Sequence, residues 1–443
     1  MTSKTPSAHP HPLHRLKSSI RELRARHHDR HRPTGFGFTF SDCIDYLDPE
    51  RWDSVTRKGS IFLSRDILRV VERHGPENLR ARYCIIFRDQ KPAAALAAQI
   101  ITVTGERLRP DQPRTKGHTT TPLLQRVFKP ALTVATTKLR ERMLVAGNLL
   151  SWGFHGIAFA EDENPAEVWP GVAEALYRIR RAERLTGQTN FVMVKDLTSS
   201  QQGLEALHRF SYRPMETDPN MVLRLDPSWG TYDGYLAALD AKYRRHAKDQ
   251  AKKLAASGCV VEHLLDLQPH AARLHQLYLA VHSNASVRLV TLPESYLPAL
   301  AQSAKEDFRC TIVRRENELL GFVTTIRDGE VALAYYIGFD RDAAATGLPI
   351  YLRLLHATVA DAIAWGCKCL SLGRTALEPK AALGAKPEPM FVWLRHRVPA
   401  LNVILRGLLG GIPHGEAPER NPFKSPSRSG SDSPAEQSPP VSI

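Results

Sequence analysis

Apolar positions recur in two matching series along this chain. From Phe62 to His74, "FLSRDILRVVERH" spaces Phe62, Ile67, Leu68 and Val71 as one face of a helix. "RYCIIFR", the polar turn "DQK" and "PAAALAAQIITV" then predict two strands joined by a tight connection. A strand "ERMLVAG", a long amphipathic helix "AEVWPGVAEALYRIRRAERL" and a strand "NFVMVKDL" follow, and a helix "SSQQGLEALHRF" with a strand "NMVLRL" completes the series. From Leu292 the order repeats: helix "LPESYLPALAQSA", strand "FRCTIVRR", turn "ENE", strand "LLGFVTTIR", strand "EVALAYYIGF", helix "PIYLRLLHATVADAIAWG", strand "CKCLSLG" and a short helix from Pro379.

Strand, crossover helix, strand implies parallel neighbours, whereas a hairpin supplies antiparallel ones. Each series therefore predicts an α/β unit with a mixed sheet (α+β mixed sheets), and the shared order predicts duplication. The expected organisation is a basic arm over 1–38, a first unit over 39–226, a connecting helix over 227–258, a second unit over 259–412 and a Pro/Ser-rich tail over 413–443. On the connecting helix, Leu236, Leu239, Tyr243, Ala247 and Leu254 keep one side apolar, while Lys242, Arg244, Arg245, Lys248, Lys252 and Lys253 lie elsewhere around it. Gly258 is its expected stop.

Composition narrows the function. The 443 residues carry a formal charge of +14, which favours anionic company. Part of that excess lies in the arm, where eight Lys or Arg and six His face two acidic residues before Thr34. The six cysteines (43, 84, 259, 310, 367 and 369) sit mostly in apolar runs and form no CxxC pair, so neither a disulfide framework nor a zinc site is expected. No metal is expected, and no Ser/His/Asp or Cys/His arrangement argues for a covalent intermediate. No run of about 18 apolar residues offers a spanning helix, and the N-terminus has no apolar signal core, so a cytoplasmic protein is expected. The segment "FVWLRHRVPALNVILRGLLGG", with Arg395, Arg397 and Arg406, reads either as a buried last strand and helix or as a peripheral contact with an acidic membrane at the inner face.

Three segments, "GSIFLSRDILRVVE", "YLAALDAKYRRHAKDQAKKL" and "LGRTALEPKAALGAKP", resemble in that order the bacterial GNAT-like acyltransferases termed peptidoglycan biosynthesis/recognition proteins, relatives of the Fem-type aminoacyl transferases. The resemblance runs from about Phe40 to Arg397. It implies tandem GNAT-type domains and an acyl-transfer site acting on an amine, either a small molecule or a cell-wall precursor. The donor it implies is acyl-CoA or aminoacyl-tRNA.

On that resemblance the stretch Gly373, Arg374, Glu378, Lys380 and Gly384 is the centre of the site. Lys380 is the candidate for stabilising the developing oxyanion or holding an anionic substrate, Glu378 for a base made effective by burial, and Arg374 for substrate contact. Tyr336, in "ALAYYIGF", is a candidate proton donor; only one of Tyr335 and Tyr336 faces a cleft, because adjacent strand residues point oppositely. Tyr243, Arg244 and Arg245 are candidates for an anionic substrate or an RNA backbone. His155, among Gly147, Gly153 and Gly156, is a candidate acid or base, and His282 and Asn284 follow a helix as weaker ones. One departure stands out. Where acetyl-CoA-dependent GNAT enzymes cradle a diphosphate on glycines, this chain reads "RDAAATG", with Arg341 in step but Ala344 and Thr346 in place of glycines. A binding protein of the same fold, for a cell-wall precursor, RNA or an acidic membrane, is the non-catalytic alternative.

Overall fold

The computed structural model describes residues 32–104, 140–285, 288–398, 401–402 and 420–424. The basic arm before residue 32 and the part of the C-terminal apolar segment around Arg406 lie outside them.

The first half contributes β1 (Gly37–Ser41), α1 (Pro49–Thr56), α2 (Arg65–His74), β2 (Leu79–Arg88), β3 (Lys91–Thr104), β4 (Arg140–Ala146), β5 (Ile157–Phe159), α3 (Pro165–Ala182), β6 (Phe191–Leu197), α4 (Glu205–Arg209), β7 (Arg213–Glu216) and β8 (Asn220–Arg224). The connection is α5 (Tyr232–Ala238) and α6 (Ala241–Ala256). The second half contributes β9 (Cys259–His263), α7 (Ala271–His282), α8 (Tyr296–Ala304), β10 (Phe308–Arg315), β11 (Glu318–Asp328), β12 (Val331–Phe339), α9 (Arg341–Ala345), α10 (Ile350–Ala364), β13 (Cys369–Ser371), α11 (Leu377–Ala382), β14 (Lys386–Glu388) and β15 (Phe391–His396).

Local chemistry explains the main elements. Asp89 and Gln90 both take positive φ, as a two-residue turn matched to strand twist requires, and so close the β2–β3 hairpin. The Asn164 side chain accepts the Ala166 N–H, and Pro165 opens α3 with its φ already set. Val168, Trp169, Val172, Leu176 and Ile179 then recur at helical spacing and are buried against the sheet. Burying a large apolar side chain such as Trp169 is favourable by about 2–3 kcal/mol. In the second half, Ile350, Leu354, Leu355, Val359 and Ala362 do the same for α10.

The two sheets run in the same order with one strand exchanged. The first reads β1-β2-β3-β4-β6-β15-β7, with β5 also paired to β3; the second, read from its other end, is β9-β10-β11-β12-β13-β8-β14. Among the described residues, the only parallel neighbours in each are the strands flanking the crossover helix, β4 with β6 and β12 with β13. The last strand of each half sits in the sheet of the other: β8 lies between β13 and β14, and β15 between β6 and β7. The mixed α/β fold is thus duplicated. Divisions after 226 and 258 do not follow the sheets, because hydrogen bonding carries "NMVLR" and "FVWLRH" across them.

The connecting helix is two helices. The chain bends at Leu239 and Asp240, and Arg244 Nη1 donates to the carbonyls of Ala237 and Leu239 left open there.

Part of the tail also belongs to the body, which corrects the expectation for 413–443. Leu239 pairs with Phe423, the Asp240 N–H donates to Pro422 O at 2.8 Å, and the Phe423 ring stacks on Trp229 at 5.3 Å. Phe423 also fills the place of a side chain at Gly384: with φ of +95°, a Cβ there would stand 2.3 Å from the ring. Gly384→Ala is expected to lower the unfolding free energy by about 1–3 kcal/mol, and by less in a Phe423→Ala background, where the clash is gone. Chemical denaturation of the four chains of that cycle measures the coupling.

Candidate active site

In both halves the parallel pair stops short. Hydrogen-bonded register ends at Ala146 with Val194 and at Leu333 with Ser371. Open sheets place ligands beyond the carboxyl ends of such strands, and here the two ends face one another. The loop leaving β4 crosses to the second sheet, where Trp152 Nε1 donates to Ser371 Oγ at 2.7 Å and Tyr336 OH donates to the Leu150 carbonyl at 3.1 Å. Asn220 Oδ1, on exchanged strand β8, accepts from Ser371 Oγ at 3.0 Å and from the Gly373 N–H at 3.1 Å.

A charged cluster joins the two ends. Lys195 and Asp196 follow Val194 on β6, and Arg374 follows Gly373 after β13. Both cations bond the Asp196 carboxylate, which also accepts the Gly153 N–H at 2.9 Å, and Lys195 Nζ donates to Ser151 O at 2.7 Å. Asp196 is 0% exposed, and the Arg374 side chain 22%. Burial alone would raise the Asp196 carboxyl; Lys195 and Arg374 outweigh it and hold the group below the usual range. Burial lowers the Lys195 amine, with Arg374 adding to the effect against Asp196. Two cations share one carboxylate, so the cluster keeps a surplus positive charge where water is scarce. Among the described residues Arg374 Nε and Ser151 Oγ are buried without a partner.

Lys380 lies on α11 and is 4% exposed, with no carboxylate paired to it among the described residues. Burial brings its amine down to about 7. A cation was anticipated there; burial without a counter-charge favours the neutral amine, which can take a proton. Glu378 does not meet its expectation. Its side chain is 54% exposed and ion-paired with Arg420, so the burial that would make it an effective base is missing.

Tyr336 and Tyr335 part as strand alternation requires. Tyr335 OH meets Tyr296 OH at 2.9 Å inside the core, while Tyr336 reaches the loop of the other half. Burial raises the Tyr336 phenol well above its ordinary value. His155 is buried, with Nε2 against Trp152 O at 2.8 Å and Nδ1 against Ser60 Oγ at 2.7 Å; Ser60 Oγ also lies 2.8 Å from Asp328 Oδ2. Burial lowers the imidazole despite Asp328 beside it. His155, Ser60 and Asp328 line a cavity of about 770 Å³. Gly156 and Gly147 serve each other rather than a ligand, since a Cβ on Gly156 would stand 2.3 Å from the Gly147 nitrogen.

Other candidates fall elsewhere. On α6, Tyr243 packs partly into the core, Arg244 caps α5 and Arg245 is exposed; no hydrogen bond or ion pair ties them to the Asp196 cluster. His282 Nε2 lies 3.1 Å from Thr291 Oγ1, and Asn284 Oδ1 accepts from Arg341 at 2.8 Å. The "RDAAATG" stretch begins as helix α9, where Asp340 Oδ1 accepts the N–H groups of Asp342 and Ala343 that a diphosphate cradle would need. Sequence reasoning missed Lys195, Asp196, Trp152 and Asn220. The first two had a signal: "VMVKDL" has charges at the mouth of an apolar strand, as "LSLGRT" has polar groups.

Part of the chain matches a known family. Residues 241–381, from α6 to the residue after Lys380, match the family model described as an acetyltransferase (GNAT) domain. No curated protein matches the chain. Among solved structures it is similar to FemX (10% identity, 84% of this chain and 99% of that one, TM-score 0.49). It is also similar to a tandem GNAT protein from the clavulanic acid biosynthesis pathway (11%, 82% and 99%, 0.43) and to L-PGS from Bacillus licheniformis (11%, 77% and 96%, 0.40). Residues 241–381 are thus a GNAT acetyltransferase domain, and the first half of the chain repeats its strand order.

Proposed function

We propose that this acyltransferase moves an acetyl or aminoacyl group from acyl-CoA or aminoacyl-tRNA to an amine, where the two halves meet. The observation that carries the reading is the surplus positive charge of Lys195 and Arg374 around Asp196, set at the carboxyl ends of both parallel pairs. In this reading the acceptor nitrogen attacks the acyl carbon, and its proton passes to the neutral amine of Lys380. Negative charge grows on the carbonyl oxygen, where Arg374 and Lys195 oppose it. Collapse breaks the carbon–sulfur bond of a thioester, or the carbon–oxygen bond of an aminoacyl ester, and the leaving thiolate or alkoxide takes the proton back from Lys380. Tyr336 and His155 act here as positioning residues, holding the Leu150–His155 loop across the halves.

The segment resemblance supports an amine on a cell-wall precursor as acceptor. Among the described residues no helix is long and apolar enough to cross a membrane; the exposed cations of α6, Arg245 among them, suit RNA or a peripheral contact with an acidic membrane from the cytoplasmic side. Incubating the chain with a panel of acyl-CoAs and charged tRNAs plus amine acceptors, followed by mass spectrometry, tests the reading. The expected result is an acceptor heavier by one acyl group with equimolar release of thiol or uncharged tRNA. Absence of product from every donor would favour a binding protein instead.

A further inference from the structure

Beyond the end of α3, the sheet face that this helix covers is paved with arginine. The helix packs on Cys84, Ile86, Ile100 and Leu144. Strand alternation therefore puts Arg80 and Arg82 of β2, and Arg140 and Arg142 of β4, on the same face. Register sets the two pairs on either side of β3 and staggered along it: Arg80 opposes Ile100, Arg142 opposes Thr102 and Arg140 opposes Thr104. Glu183, just past α3, answers two of the four, meeting Arg82 at 2.6 Å and Arg142 at 2.8 Å. Arg80 donates only to the carbonyls of Glu77 and Leu79, and Arg140 meets no carboxylate among the described residues.

The second half closes over this floor. His282, at the end of α7, and Arg288 line the same cavity, of about 1010 Å³, in which Glu77 is the single acidic lining residue. Like charges gathered on one sheet face repel, and a cleft with low-dielectric walls focuses their field on whatever enters. Guanidinium groups bind phosphate through paired N–H donors. Those on alternate residues of one strand stand roughly 7 Å apart, wider than one phosphate and suited to linked phosphates.

We propose that this cleft between the halves binds a soluble ligand through a di- or oligophosphate group. The inference is independent of the acyl-transfer reading, since it uses neither Lys380 nor the Asp196 cluster.

The test is calorimetric titration of the full chain with inorganic pyrophosphate, tripolyphosphate and orthophosphate at low salt. The same titrations are made on Arg80→Ser/Arg140→Ser, on Arg140→Ser alone and on Lys248→Ser/Lys252→Ser of α6. Both arginines are exposed, so the variants keep the fold, which thermal melts verify. Pyrophosphate is expected to saturate and to bind at least about tenfold tighter than orthophosphate; Arg80→Ser/Arg140→Ser weakens it about tenfold or more, and the α6 variant less than about twofold. Arg140→Ser alone gives an intermediate loss. The proposal is overturned by absent saturation, by binding indifferent to Arg80 and Arg140, or by equal loss in the α6 variant. Anionic phospholipid vesicles or RNA that bind through these arginines while pyrophosphate does not would overturn it too, assigning the face to a macromolecular surface.

Discussion

Replacing Asp196 by asparagine is expected to destabilise the fold by about 3–5 kcal/mol, because it leaves buried cations without their counter-ion. Asparagine isolates the charge. Asp196 sits at φ of +61°, a conformation Asn tolerates as Asp does, so the backbone is not disturbed; alanine would add roughly 1–2 kcal/mol of strain. The two cations respond differently. Lys195, already shifted down, can release its proton, whereas the Arg374 guanidinium stays charged. Arg374 would then face a neutral amide and the Met390 sulfur, 3.6 Å away, with no counter-charge to balance it. Asp196→Asn/Arg374→Met should therefore recover part of the loss.

The pH dependence has a definite sign. A carboxyl held below its unfolded value stabilises the fold above about pH 4 and loses that contribution as pH falls through its folded value. The gap between parent and Asp196→Asn should be full at neutral pH and shrink below about pH 4. Urea denaturation of the three chains across pH measures it. A gap that does not change with pH would place the effect in packing rather than charge.

The repeated α/β order was legible because it rests on local pattern: hairpin turns, helical spacing and apolar runs are written residue by residue. The strand exchange was not. "NMVLRL" reads as the strand closing its own half, and only the pairing of Leu370 with Leu223 and of Met221 with Pro387 shows where it goes. The edge strands β1, β7, β9 and β14 also escaped, being short and with at most one fully buried residue each. At the site, Arg374 and Lys380 were expected from "LGRTALEPKAALGAKP"; the structure ties Arg374 to Asp196 and buries Lys380. Glu378, two residues earlier, lies on the opposite side of a six-residue helix, and spacing alone gave no sign that Arg420 would claim it. Asp196 was invisible as a partner of Arg374 because 178 residues separate them and the contact exists only once the halves dock.

Lys380→Met is expected to lower turnover by about 10²- to 10⁴-fold, the usual worth of a positioned acid–base group, while making the protein more stable below neutral pH. Both follow from one fact, the burial of an amine with no counter-charge. Burial brings the folded amine down to about 7 from about 10.4 in the unfolded chain, so between those values the unfolded chain holds a proton that the folded chain lacks. Parent stability then rises with pH across that window, and below it the parent bears the cost of desolvating an ammonium, at most about 5 kcal/mol. Methionine, of similar length and uncharged, is free of that cost. Activity should respond in the same range: kcat/KM of the parent climbs as pH passes about 7 and then levels, because the neutral amine is the active form. Lys380→Arg separates the two roles the position could serve. A guanidinium keeps a positive charge for an oxyanion but cannot accept a proton near neutrality, so a base role predicts a loss as deep as that of methionine, and an electrostatic role predicts partial retention. A methionine variant that gains stability but keeps full turnover would show the amine to be buried without taking part in the reaction.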